Sequence, residues 1–248
     1  RDRPDMELPG RQNELIRRVV EANPKTIVVL NAGAPVCLPW QNEIPAILEA
    51  FYPGMEGGNA VARILLGEVN PSGKLPVTFP QRLEDTPAYI NSAYPGARDI
   101  YYGEGIFVGY RYYDMRKLSP AFPFGHGLSY TQFQLGTLDV AEVNENGKCV
   151  EIKVKIRNTG VVAGKEVIQL YVSDIETSLP RPVKELKGFT KVDLQPGEEK
   201  EVSFSLSERD LAYYDPYLQK WVAEQGEFEL LVGFSSKDIR EKCRFTLR

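Results

Sequence analysis

Cys149-Val150-Glu151-Ile152-Lys153-Val154-Lys155-Ile156 places an apolar residue at every second position and a charged one between. A strict period of two over seven residues marks an extended strand with one face buried and one wet. The same pattern recurs on both sides of it. Asn158-Thr159-Gly160 is a turn, and Ile168, Leu170 and Val172 then alternate. Gln195-Pro196-Gly197-Glu198 introduces Val202, Phe204 and Leu206; Phe228, Leu230 and Val232 follow Gly226, and Phe245 and Leu247 come last. About seven short strands with turns between them, in roughly 110 residues, fit an immunoglobulin-like or fibronectin type III-like sandwich. The reading assigns this all-β sandwich to residues 135–248.

Upstream the period changes. Arg11 to Ala22 sets Leu15, Ile16, Val19 and Val20 on one helical stripe, stopped by Asn23-Pro24. Thr26 to Leu30 is a short continuous apolar run, predicting a strand buried on both faces. Ala46 to Phe51 predicts a second strand, and Ala60, Val61, Ile64 and Leu65 a helix with Gly67 as its C-terminal cap. Asn70-Pro71-Ser72-Gly73 leads to a third predicted strand, Lys74 to Thr78. Strand, crossover and strand in so few residues imply parallel pairing. Residues 1–90 therefore read as an α/β open sheet, part of an α/β sandwich. Residues 91–134 are dense in aromatics, among them Tyr101, Tyr102, Tyr110, Tyr112, Tyr113, Phe122 and Phe124. Disordered linkers are poor in aromatics, so an ordered connector packed between the domains is expected.

Composition excludes several classes. The chain has 248 residues, 42% hydrophobic and 26% charged, with a formal net charge of -4. A slightly acidic chain lacks the basic face that nucleic acid requires. No apolar run approaches the roughly 18 residues of a transmembrane helix, so no membrane partner is expected. One histidine and three scattered cysteines cannot build a zinc cluster, so neither metal nor cofactor is called for. The odd cysteine count leaves at least one thiol unpaired and favours a reducing, cytoplasmic compartment over a secreted one. Cys149 and Cys243 could pair if their strands were neighbours. The first residues, Arg1-Asp2-Arg3-Pro4-Asp5, are neither a leader peptide nor a start methionine and read as the inside of a longer chain.

No complete active site emerges from the residues. His126 lies in Phe124-Gly125-His126-Gly127 without a Ser or Cys nucleophile in a recognisable elbow nearby, so a structural bend is expected. Asn31-Ala32-Gly33-Ala34-Pro35 and Tyr52-Pro53-Gly54-Met55-Glu56-Gly57-Gly58-Asn59 follow the predicted parallel strands, where ligands of open α/β sheets bind. Helix–strand packing and a domain contact explain their glycines equally well. Glycoside hydrolysis needs two carboxyl groups; Asp2, Asp5, Glu56, Asp99 and Glu104 stand in loops, and no pattern singles one out. Arg181 to Phe189 is a basic loop before a strand, its charges expected to face water or a neighbouring domain.

Ordered motifs run the length of the chain. They are Asp2-Arg3-Pro4, Leu8-Pro9-Gly10-Arg11-Gln12, Val28-Val29-Leu30-Asn31-Ala32-Gly33, Tyr52 to Gly58, Gly67-Glu68-Val69-Asn70-Pro71-Ser72-Gly73-Lys74-Leu75-Pro76, Tyr102 to Tyr113, Phe122 to Thr131, and Arg181-Pro182 through Phe189. In this order they resemble the C-terminal portion of a glycoside hydrolase family 3 β-glucosidase. The resemblance implies a retaining, exo-acting enzyme that removes terminal β-D-glucosyl residues. Its aspartate nucleophile would lie in an N-terminal barrel outside this sequence, and that barrel would be the chain's partner. The acid/base glutamate of such enzymes lies in a Glu-Gly-aromatic-Asp-Arg stretch. Asp2-Arg3 matches its end, so the glutamate would fall just before Arg1 and no catalytic residue is expected in this chain. Arg1 takes the place of the aromatic that borders the aglycone, which makes Arg1 and Asp2 the candidate substrate-binding residues. A β-xylosidase or related exo-glycosidase, a non-catalytic carbohydrate-binding module and a homo-oligomer are the alternatives left open.

Overall fold

The structure is a computed structural model that describes residues 5–91, 99–142 and 148–248. The chain divides into two compact units. The first comprises residues 1–69 and 75–124, the second residues 70–74 and 125–248.

In the first unit, α1 (Gln12–Ala22) leads to β1 (Ile27–Leu30), which pairs in parallel with β2 (Ala46–Glu49) in the register Val28↔Ile47. Helix α2 (Gly57–Leu65) follows. It ends in a Schellman motif: Gly67, at φ +76°, donates to the Ile64 carbonyl, and Glu68 donates to that of Arg63, both at 2.9 Å. Two short α-helices also belong to the unit, α3 (Pro87–Ile90) and α4 (Tyr110–Met115). Its core gathers Leu8, Val28, Leu30, Val36, Leu38, Trp40, Ile44 and Phe79, with Ile16 and Val20 of α1 packed against them. Trp40 is fully buried, and its Nε1–H donates to Asn13 Oδ1 at 2.8 Å, which satisfies the indole. Tyr112 and Tyr113 are buried, and Tyr110 stacks on Phe124 with centroids 5.1 Å apart.

Three readings are corrected in this unit. β1 is not buried on both faces: Val28 and Leu30 are buried, whereas Ile27 and Val29 are exposed, because only one face meets the core. The α1 stripe is half used, with Leu15 and Val19 exposed. Residues 74–78 form no strand; one isolated bridge, Phe79↔Phe122, follows directly after them. Pro76 has no N–H to give a ladder, and Lys74 is drawn into the second unit.

The second unit is the sandwich. One sheet has β5 (Lys148–Asn158) at its centre. β3 (Phe133–Leu135) and β4 (Asp139–Glu142) lie end to end on one side of β5, and β8 (Glu199–Ser207) lies on the other. The other sheet runs β12 (Ile239–Leu247), β11 (Gly226–Gly233), β6 (Gly164–Asp174) and β7 (Glu185–Leu194), antiparallel throughout. After β8 comes a single turn of helix, α5 (Glu208–Leu211), with a Ser207–Asp210 capping box. A hairpin of β9 (Tyr213–Asp215) and β10 (Lys220–Val222) then precedes β11. The alternating residues of the sequence are the core: Val150, Ile152, Val154 and Ile156 of β5 meet Ile168, Leu170 and Val172 of β6 and Phe228, Leu230 and Val232 of β11. Each fully buried aliphatic side chain is worth about 1.5–3 kcal/mol.

Cys149 and Cys243 are not on neighbouring strands: β5 and β12 belong to different sheets, and Cys243 is a free thiol. The Arg181–Phe189 charges do not face water either. Arg181 is enclosed between Asp174 at 2.7 Å and Glu185 at 3.0 Å, donates to the Leu211 carbonyl and lies over the Tyr213 ring. Lys184 is buried over the Tyr171 ring. A buried guanidinium is tolerable only with its donors matched in this way.

Candidate functional site

The two loops at the carboxyl ends of β1 and β2 come together. The Tyr52 phenol lies against Gly33 so closely that a Cβ at Gly33 would stand 2.1 Å from the ring. Pro53 sits likewise over Gly57, where a Cβ would be 2.6 Å from its ring. Close packing of side chains therefore occupies the space these two glycines leave. Beside them, a crevice of about 370 Å³ is lined by Val29, Asn31, Pro53, Gly58 and Val61, at the usual ligand end of a parallel sheet.

Glu49, at the end of β2, is the carboxylate the sequence reading passed over. Its Oε1 accepts the Phe51 N–H at 2.8 Å, while Oε2 is buried with no hydrogen bond within 3.5 Å among the described residues. Burial pushes its carboxyl above the ordinary range, against the opposing pull of the Phe51 and Ala32 N–H groups. Phe51 sits at φ 49°, a left-handed conformation that a bulky residue adopts at a cost. One acid ending an apolar run, Ala46-Ile47-Leu48-Glu49, was the available signal.

A larger cleft, about 580 Å³, opens elsewhere on the first unit. Met6, Pro35, Val77, Val108, Tyr110 and Phe124 line it, and Arg111 brings its one charge among the described residues. The Thr78 hydroxyl beside it is buried without a partner among the described residues. Among the described residues its lining holds no carboxylate and is mostly apolar, which suits an apolar body.

The carboxylates singled out in the sequence stand in different local settings. Arg1 and Asp2 lie outside the described residues. Asp5 is exposed and accepts the Glu7 N–H in a local turn; Glu56 is exposed and takes the Asn59 amide at 2.6 Å; Asp99 is exposed. Glu104 is half-buried, with Oε2 unpartnered among the described residues. His126 belongs to the second unit, in a bend where Gly125 holds φ +81° and a Cβ would strike the Gln169 side chain at 2.3 Å. Burial, reinforced by the Lys74 charge, holds its imidazole below its usual pKa. This is the tight bend expected of the flanking glycines.

The family model of the glycosyl hydrolase family 3 C-terminal domain matches residues 1–130, and that of the fibronectin type III-like domain matches residues 166–236. The chain belongs to glycosyl hydrolase family 3. It is 49% identical to thermostable β-glucosidase B of Acetivibrio thermocellus over 241 residues, covering 96% of this chain and 32% of that protein. It is 48% identical to a probable β-glucosidase I of Aspergillus oryzae over 260 residues, covering 99% of this chain and 31% of that protein. Among solved structures, the β-glucosidase of Kluyveromyces marxianus in complex with glucose superposes with a TM-score of 0.94 at 45% identity, covering all of this chain and 30% of that one. DesR, a β-glucosidase of Streptomyces venezuelae in complex with D-glucose, superposes at 0.91 with 40% identity, again over the whole chain and 32% of its own length. The family 3 chain thus spans about a third of the length of these relatives. It is a mixed α/β domain followed by a fibronectin type III-like β domain, as the sequence pattern implies.

Proposed function

We propose that the chain is the C-terminal portion of a retaining, exo-acting β-glucosidase and contributes to it as scaffold and pocket wall. The observation that carries this reading is the similarity, over nearly the whole chain, to proteins named as β-glucosidases. A retaining mechanism sets nucleophile and acid/base roughly 5–5.5 Å apart. Neither residue is assigned here: the nucleophile belongs to the barrel that the resemblance implies, and the acid/base glutamate to the stretch just before Arg1. Arg1 and Asp2 would then border the aglycone. Met6, four residues after Asp2, lines the apolar cleft of about 580 Å³, which suits a wall for the non-sugar side of a substrate. No cofactor enters this chemistry. The division into residues 1–90, 91–134 and 135–248 is kept as a partition of the sequence, distinct from the two spatial units.

The experiment compares the full-length protein with the 248-residue piece on aryl β-glucoside and aryl β-xyloside. The full-length protein should cleave the glucoside faster with retention of the anomer, and the piece should cleave neither. Turnover by the purified piece would overturn the scaffold role. Faster xyloside cleavage by the full-length protein would replace the glucosidase reading with that of a β-xylosidase.

A further inference from the structure

Asn70–Lys74 lies within the sequence matched by the first family model, yet in space it belongs to the second unit. The chain leaves the first unit after Val69, returns at Leu75, and leaves again after Phe124. The contacts of this five-residue excursion are buried and specific. Lys74 Nζ lies 2.6 Å from Glu166 Oε1 on β6 and donates to the Gly127 carbonyl at 2.6 Å, with side chains only 11% and 7% exposed. Glu166 Oε1 also accepts the Val167 N–H at 2.7 Å. Asn70 donates to the Ala163 carbonyl at 3.0 Å and accepts from the Ser129 hydroxyl and the Tyr130 N–H at 2.9 and 2.8 Å. The backbones are fitted as well: a Cβ on Gly127 would stand 2.2 Å from the Gly73 carbonyl oxygen, and one on Gly164 would stand 2.7 Å from the Asn70 amide nitrogen.

A buried carboxylate and ammonium are stable only together, because either alone keeps its full desolvation cost. The sandwich carries Glu166 at the start of β6 and has that charge neutralised by a lysine 92 positions earlier in the sequence. We propose that Asn70–Lys74 is a structural part of the fibronectin type III-like unit, a clamp without which the Gly125–Thr131 segment and the start of β6 lose their native order. The sandwich is then a discontinuous domain, and its integrity depends on chain that leaves the first unit and returns to it.

Hydrogen exchange on the full 248-residue chain tests this. Lys74→Met should speed exchange of Gly125–Thr131 and of the amides from Val167 to Tyr171 by roughly a hundredfold, because it strands the Glu166 carboxylate. Lys74→Met combined with Glu166→Leu should bring the rates back to within about tenfold of wild type, since an apolar pair replaces a buried ion pair at little cost. Asn70→Ala, a milder change in case the first variant fails to fold, should speed the same segments by about tenfold. Unchanged exchange in the sandwich, acceleration confined to residues 57–69, or no recovery in the double variant would each overturn the clamp.

Discussion

Asn158→Ala should destabilise the sandwich far more than the loss of one amide suggests. Asn158 ends β5, is fully buried, and spends its amide on four partners. Oδ1 accepts from the Thr131 hydroxyl at 2.7 Å and the Gly160 N–H at 3.0 Å; Nδ2 donates to the Val162 carbonyl at 2.9 Å and the Leu194 carbonyl at 3.1 Å. One side chain thus ties the residues before β3, the turn after β5 and the end of β7 to a single point. Alanine leaves four polar groups without this partner. At about 1 kcal/mol for each bond lost, with a larger penalty where a buried group stays dry, the loss comes to about 4 kcal/mol. With an m-value of about 2 kcal/mol/M, the urea midpoint of the sheet signal in circular dichroism should fall by about 2 M. Asn158→Asp should be at least as damaging at neutral pH, because it turns a carboxylate oxygen toward two carbonyls, and it should recover partly in acid as that oxygen gains a proton. Val161→Ala, three residues on and 90% exposed, should stay within about 0.5 kcal/mol of wild type. An Asn158→Ala midpoint equal to that of Val161→Ala would refute the reasoning.

Two further outcomes follow from the same geometry. Gly127→Ala forces a Cβ against the Gly73 carbonyl and should cost about 1–3 kcal/mol, whereas a Cβ at Gly73 meets nothing within 4 Å and Gly73→Ala should be close to neutral; paired melting curves would expose the error if the two behaved alike. His126 has a folded pKa held below 6.5, so the unfolded chain binds the proton more readily; its contribution is complete above the unfolded pKa and is lost as pH falls through the lowered folded value. His126→Gln should remove that part of the acid slope below pH 6.5, and identical stability–pH curves for variant and wild type would contradict it.

Much of the architecture was legible because its cause is local. Val150-Glu151-Ile152-Lys153-Val154 alternates because one face of β5 is core and the other is wet, and the structure buries those valines and isoleucines. Gly67 announced the end of α2 because a left-handed cap favours glycine. Periodicity misjudged Thr26–Leu30, since a continuous apolar run says that residues can be buried but not which faces have a neighbour. It misjudged Lys74–Thr78 for another reason: the apolar residues were there, but Pro76 and the distant Glu166 claimed the segment. The candidate carboxylates stayed ambiguous because distance and burial, not residue type, separate a solvated acid such as Glu56 from the half-buried Glu49.

The sequence by itself determined the order of an α/β part and a β sandwich, the turns between strands, and the ordered motifs of a glycosyl hydrolase family 3 chain. These rest on short-range patterns of side-chain polarity and backbone preference. Tertiary structure alone decided that Arg181 is enclosed by acids, that Asn158 ties three segments together, and that Lys74 serves a unit whose main body begins fifty residues later. Such pairings join charges and amides far apart in the chain, and the low dielectric of a buried site, which no local pattern encodes, makes each depend on its partner.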